Sequence, residues 1–120
     1  PVHDPVKVIL LKVINREERP RRLSAAYFAE WVLGTVRDQT AWTIVTEVDA
    51  ETGALFARNA FNAEFGSAIA FVDTSLRPRS LTGDRLEFLG RNGSMADPMG
   101  LHQVELSGFT GAIRRHVDWK

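Results

Sequence analysis

The 120-residue chain contains no cysteine, which excludes a disulfide framework, a thiolate zinc site and a cysteine nucleophile. It also lacks net charge, because 15 basic residues balance 15 acidic ones, and this argues against a bulk electrostatic nucleic-acid binder. No apolar run approaches the ~20 residues that a membrane helix needs, so we expect no direct membrane insertion. The length fits a single domain with its own core.

Motifs of catalysis and cofactor binding are equally scarce. The three histidines, His3, His102 and His116, are scattered, and none has a carboxylate at metal-ligand spacing. No nucleophile elbow, Walker loop or dinucleotide-binding glycine motif occurs. We therefore predict no metal site, no cofactor and no catalytic residue. An opposed pair of carboxylates, the arrangement of most glycosidases, stays open at this point.

Short apolar segments separated by polar, glycine-containing turns are typical of an all-β sandwich, and we predict seven or more antiparallel strands. The segments with strand character are residues 6–14, 22–32, 40–48, 54–58, 69–73, 86–89, 101–106 and 112–117. Residues 49–53 form a short loop that ends in glycine. This loop predicts a hairpin between 40–48 and 54–58.

Residues 22–32 allow two interpretations. Alternation places Tyr27 and Trp31 on one face of a strand, and we expect that face to be buried. Helical spacing also groups apolar residues here, and Ser24 is a suitable helix cap. A helix would place Glu30 on the apolar stripe, so the strand is favoured.

Two clusters combine polar planar side chains with aromatic rings. Sugars are bound by such groups, because amides and guanidiniums form paired hydrogen bonds. The candidate carbohydrate-binding residues are Arg58, Asn59, Asn62 and Glu64 in the first cluster, and Asp84, Arg85, Arg91 and Asn92 in the second. The alternative is structural: Arg58 and Arg85 would pair with Glu64 or Asp84, and the asparagines would form turns.

Several blocks of the sequence resemble the cyclic β-1,2-glucan synthetases, whose phosphorylase module belongs to glycoside hydrolase family 94. The similarity covers roughly residues 5–111. Its blocks are Glu30-Trp31-Val32-Leu33-Gly34, residues 45–49 and 51–59, Ala70-Phe71, residues 82–85 and Phe88-Leu89-Gly90-Arg91-Asn92-Gly93-Ser94, with Asn15 and residues 19–24 upstream. Residues 113–120 depart from the family pattern.

The resemblance implies an antiparallel β-sandwich, part of a galactose-mutarotase-like supersandwich that precedes a catalytic (α/α)6 barrel. The general acid and the phosphate-binding residues of the family belong to that barrel. We therefore expect residues 1–120 to form one β-sandwich domain that is a fragment of a longer multidomain enzyme.

The function that follows is a non-catalytic, carbohydrate-associated module of a β-glucan synthetase or phosphorylase. Its expected partners are a β-glucan or oligosaccharide and the catalytic barrel of the parent protein. The expected location is the cytoplasm, with the parent anchored in the inner membrane. A partial sandwich exposes strand edges, which favours pairing with a second copy. The rival hypothesis is a structural or oligomerisation scaffold without sugar affinity of its own.

Overall fold

The computed structural model describes residues 3–112, and its centre is a four-stranded antiparallel sheet in the order β3-β2-β1-β4. The strands are β1 (Val45–Val48), β2 (Leu55–Arg58), β3 (Ile69–Val72) and β4 (Gly111–Ala112). Two short helices, α1 (Arg37–Thr40) and α2 (Arg85–Leu89), and the 3-10 helix Met99–His102 complete the regular elements.

The hairpin between β1 and β2 confirms the predicted pairing, but its first strand begins at Val45 and not at residue 40, because α1 and a turn occupy residues 40–43. Val45 lies opposite Arg58, and Val48 lies opposite Leu55. The Asp49 carboxylate closes the turn by accepting hydrogen bonds from the Thr52 hydroxyl at 2.6 Å and the Thr52 N–H at 2.8 Å, and these bonds lower the pKa of Asp49. Gly53 has a φ of 78°, a conformation that favours glycine, so the glycine-ended loop is confirmed as a hairpin turn.

The core has two parts, one around strands β1 and β2 and one in α2. Its buried apolar residues are Ile44, Ala54, Ala57, Phe88 and Leu89. Thr46 is also buried, and its hydroxyl bonds both the N–H and the C=O of Gly111 at 3.3 Å. A buried hydroxyl needs such partners, so Thr46 helps to hold β4 against β1.

Helix α2 replaces the strand that we predicted at residues 86–89. The Asp84 carboxylate accepts hydrogen bonds from the N–H groups of Leu86 and Glu87, which makes it the N-cap. Gly90, with a φ of 87°, ends the helix. The prediction of a strand at 101–106 is also wrong, because those residues form the end of the 3-10 helix and bends.

Residues 6–27, which we call the N-terminal arm, form no strand, although 6–14 and 22–32 were both predicted as strands. The arm is exposed along its whole length. Tyr27 is 57% exposed, so the expected buried face shared with Trp31 is wrong, and only Trp31 is partly buried. A strand requires a hydrogen-bonded neighbour, and no residue in the range 3–112 provides one for the arm.

The all-β class is confirmed, since the antiparallel sheet is the main regular element. Residues 3–112 contain four strands, fewer than the seven or more that we predicted. The predicted strand at 112–117 begins in β4, and residues 113–117 lie outside the described part. Within residues 3–112, no helix is long and apolar enough to cross a membrane.

Candidate functional site

The eight candidate residues lie in three places: the end of β2 with the loop that follows it, the start of α2, and a glycine-rich loop after α2. We call the last place the glycine-loop cleft and define it by its lining residues. These are Leu89, Gly90, Arg91, Asn92, Gly93, Ser94, Asp97, Met99 and His102. The three places differ in how far internal contacts already occupy their polar groups.

In the loop after β2, the side chains of the two asparagines form internal hydrogen bonds. Asn59 is only 4% exposed; its amide donates a hydrogen bond to the Leu33 carbonyl at 3.0 Å and accepts one from the Phe61 N–H at 3.2 Å. The Asn62 side-chain oxygen accepts bonds from the N–H groups of Glu64 and Phe65 at 3.0 and 2.7 Å. Both amides form turns, as the structural alternative expected.

A smaller cleft of about 240 Å³ lies beside this loop. Its lining is mostly apolar and includes Leu33, Phe65 and Ile69, together with Asn59. The amide of Asn59 is engaged with Leu33, so it is not oriented for a ligand. Glu64, the remaining candidate of this cluster, has an exposed side chain in the turn of residues 63–67.

The partners of the two arginines differ from those expected. Arg58 Nη2 lies 3.3 Å from Glu47 Oε2, across the hairpin, and both side chains are about half exposed. Arg85 Nε donates to Glu30 Oε1 at 2.8 Å, and Glu30 also binds Arg37. The expectation that Glu64 or Asp84 pairs with these arginines is therefore wrong. Glu30 was missed because its partners lie 7 and 55 residues away in sequence.

One segment, residues 28–33, connects the first two places. The ring of Phe28 stacks on Phe88 of α2 with centroids 5.3 Å apart. Glu30 reaches Arg85, and the Leu33 carbonyl reaches Asn59. This segment thus runs from the start of α2 to the end of β2.

The glycine-loop cleft has a volume of about 480 Å³, within the range of small-molecule sites. Its shape requires glycine: a Cβ on Gly93 would lie 1.5 Å from the Leu89 carbonyl oxygen. The side chains of Arg91 and Asn92 are exposed at this loop. Among residues 3–112, Asn92 has no side-chain hydrogen-bond partner, in contrast with Asn59 and Asn62.

Sequence reasoning missed two residues of this cleft, Asp97 and His102. His102 Nε2 lies 2.7 Å from Asp97 Oδ1, and both side chains are mostly exposed. The 3-10 helix carries His102 and Met99, while a bridge between Ser94 and Asp97 shapes the opposite part of the loop. No sequence periodicity links Asp97 with His102, so only the fold could reveal the pair. No group of three metal-ligating side chains occurs in the described range 3–112.

Glu87, directly before the buried pair Phe88 and Leu89, holds the neighbouring chain in place. Its carboxylate accepts hydrogen bonds at 2.6 Å from the Thr82 hydroxyl and from both the N–H and the hydroxyl of Ser107. Burial raises the pKa of Glu87, but the bonds from Ser107 and Thr82 outweigh it, and the net pKa is lowered. Glu87 thus holds Thr82 and Ser107 beside α2 through its carboxylate.

Comparisons with known proteins match the chain to a family. The family model described as the glycosyl hydrolase 94 supersandwich domain matches residues 1–117. The cyclic β-(1,2)-glucan synthase NdvB of Rhizobium meliloti (strain 1021) is 34% identical over 107 residues, which are 88% of this chain and 4% of the relative. No solved structure matches the chain significantly.

The chain therefore spans about 4% of the length of the curated relative that it matches. The resemblance to the family is confirmed by both comparisons, and an antiparallel sheet agrees with the sandwich that the domain's name describes. With the family model covering nearly the whole chain, the chain belongs to the glycosyl hydrolase 94 supersandwich domain family.

Proposed function

We propose that this chain is a non-catalytic accessory domain of a longer glucan synthase or phosphorylase, and that it contacts the glucan. Family membership and the relative's name, a cyclic β-(1,2)-glucan synthase, support the proposal. In this proposal residues 1–120 are one domain of a multidomain enzyme. They lie beside its catalytic barrel in the cytoplasm, and the parent is anchored in the inner membrane.

The observation that carries the proposal is the composition of the glycine-loop cleft. Arg91 and Asn92 offer guanidinium and amide groups, Ser94 a hydroxyl, and Asp97 and His102 a polar pair. The side chain of Met99, which is 53% exposed, adds apolar surface for the C–H face of a sugar ring. A hexose presents hydroxyls around an apolar ring face, so this mixture of groups is complementary to it.

Affinity in this cleft should be weak. Exposed hydrogen bonds contribute only ~0.5–1.5 kcal/mol each after water is displaced. A few of them give a dissociation constant of ~0.1–1 mM or weaker, since ~1 mM corresponds to about −4 kcal/mol. No aromatic platform lines the cleft to raise this value.

The experiment is a titration of the ¹⁵N-labelled chain with β-1,2-linked gluco-oligosaccharides, followed by NMR. We expect saturable shifts at residues 89–102 and weaker binding by Asn92→Ala and His102→Ala. Because we propose no catalysis, the oligosaccharide should be recovered unchanged with or without phosphate.

Gln103→Ala is the matched control, because Gln103 is exposed and adjacent to His102 but does not line the cleft. Gln103→Ala should bind the oligosaccharide with the same affinity as the unsubstituted chain. Shifts confined to the loop after β2, or equal losses in all three variants, would contradict the assignment of the cleft. Turnover that a single Asp or Glu substitution abolishes would contradict the accessory role.

The second candidate function, a scaffold without sugar affinity, is favoured by a different observation. Several polar candidates are already engaged internally: Asn59 with Leu33, Asn62 with its own turn, and Asp84 with α2. If no oligosaccharide produces saturable shifts at millimolar concentration while the chain stays folded, the scaffold is the better description.

A further inference from the structure

The first part of the N-terminal arm, residues 6–14, is an exposed apolar strand candidate. Leu10 is 92% exposed, Val8 79%, and Leu11 68%. Alternate residues point to opposite sides of an extended chain, and apolar residues occur on both sides here. A chain with this pattern is typical of a strand that is covered on both faces.

The outer side of β3 is the matching surface. β3 is the last strand on its side of the sheet, and none of residues 3–112 pairs with its outer edge. Ile69 and Phe71 on this strand are 54% and 49% exposed. An open edge with exposed apolar side chains is a template for an added strand.

Charge distinguishes this pairing from a nonspecific apolar contact. Residues 6–14 contain Lys7 and Lys12 and no acid, so their charge is +2. Residues 64–74, which include β3, contain Glu64 and Asp73 and no Lys or Arg, so their charge is −2. Opposite charges on the two segments favour their association over the pairing of either segment with itself.

We propose that residues 6–14 of one copy add as a strand to the outer edge of β3 in a second copy. Within a single chain, both surfaces exist but remain unpaired. Each copy carries one arm and one β3 edge, so a reciprocal exchange between two copies fills both surfaces of both copies and closes at a dimer. Residues 15–27 link the exchanged segment to Phe28, whose ring stacks on Phe88. This link lets residues 6–14 reach a second copy while Phe28 stays packed in its own. The inference does not depend on glycan binding.

The absence of cysteine allows a direct test by disulfide trapping between chains. Ile9→Cys, Leu10→Cys and Leu11→Cys are prepared separately, and each is mixed with Phe71→Cys under oxidised glutathione. We expect at least one arm variant to form a disulfide with Cys introduced at position 71 in a different chain, identified by peptide mass. Arm-to-arm and edge-to-edge products should be minor.

Val104→Cys is the matched control, since Val104 is 82% exposed and lies on neither surface. It should trap position 71 only at the background level. A double variant with Leu10→Cys and Phe71→Cys tests the alternative within one chain. A disulfide that forms inside a single chain at high dilution would overturn the exchange between copies.

Sedimentation equilibrium provides the second measurement. The chain should show a reversible dimer, and Leu10→Pro should raise its dissociation constant about ten-fold or more, because proline removes a ladder donor. The hydrogen bonds at this end of the chain join Val6 to Asp4 and residues 15–21 to one another, and none involves Leu10, so the melting of the body should not change. A single-chain mass up to about 1 mM would overturn the proposal. So would a dimer that neither Leu10→Pro nor Phe71→Lys weakens.

Discussion

Residues 6–14 of the N-terminal arm and the first half of the β1–β2 hairpin share β-branched residues but differ in structure. Both are rich in β-branched residues, yet Leu10 in the arm is 92% exposed while Ile44, just before β1, is fully buried. The hairpin has a turn that returns the chain onto itself, with Asp49 bonded to Thr52 and Gly53 in the left-handed region. β-propensity therefore becomes a strand only where the chain supplies a neighbour.

The largest expected effect comes from matched isoleucine truncations in the two regions. Ile44→Ala should lower the free energy of unfolding by ~2–5 kcal/mol, because it removes buried methyl groups and leaves a cavity. Ile9→Ala should change it by less than ~0.5 kcal/mol, because Ile9 is 58% exposed. Urea denaturation at low protein concentration measures both. Equal losses would show that the arm packs on the body in solution.

An intermediate effect is expected at the start of α2. Asp84→Ala should cost ~0.5–2 kcal/mol, since Asp84 caps the helix through the N–H groups of Leu86 and Glu87. Asp84→Asn keeps an accepting oxygen and should retain most of the stability. Thermal unfolding of the two variants separates this structural role from ligand binding. If Asp84→Ala melts at the same temperature as the unsubstituted chain, the cap contributes little, and Asp84 becomes a stronger candidate for ligand binding.

The smallest effect concerns two carboxylates with lowered pKa, Glu87 in α2 and Glu17 in the arm. The pKa of Glu87 in the folded chain lies below its ordinary 4.5, so its bonds add stability above that value. This contribution disappears as the pH falls through the lowered pKa. Glu87→Gln should therefore flatten the pH dependence of stability below about pH 5.

Glu17 is the matched control. Arg21 and then Arg19 lower its pKa, but all three residues lie within the arm, so we expect these bonds not to depend on the folding of the body. Glu17→Gln should leave the pH profile of unfolding unchanged. An identical response of both variants in denaturation between pH 3 and 7 would show that the arm unfolds together with the body.

Local signals allowed part of this structure to be predicted from the sequence. The hairpin was predictable because its turn chemistry and both strands lie within residues 40–58. Helix α2 was within reach as well: Asp84 and Gly90 are start and stop signals, but the apolar run 86–89 was interpreted as a strand. The extended, unpaired arm was not predictable, because the sequence of a segment does not show whether the fold places a hydrogen-bonding strand beside it.

The residues of the candidate site also divide into those that the sequence predicts and those that only the fold reveals. Asn92 was selected by its chemistry and lies on the glycine-loop cleft. Asn59 was selected by the same chemistry but is buried, because its partner is the carbonyl of Leu33, 26 residues away. Composition identifies side chains that are able to bind a sugar. Only the fold determines which of them are already occupied, and the pair of Asp97 and His102 appears only there.

Residues 28–33 also have a mechanical consequence. A pull on the arm would first load the stacked rings of Phe28 and Phe88, then the ion pair of Glu30 and Arg85, and finally the bond between Leu33 and Asn59. Contacts loaded one after another peel apart at low force, whereas contacts loaded together resist shear. Tension on the arm would thus detach this segment stepwise and leave the β1–β2 hairpin intact.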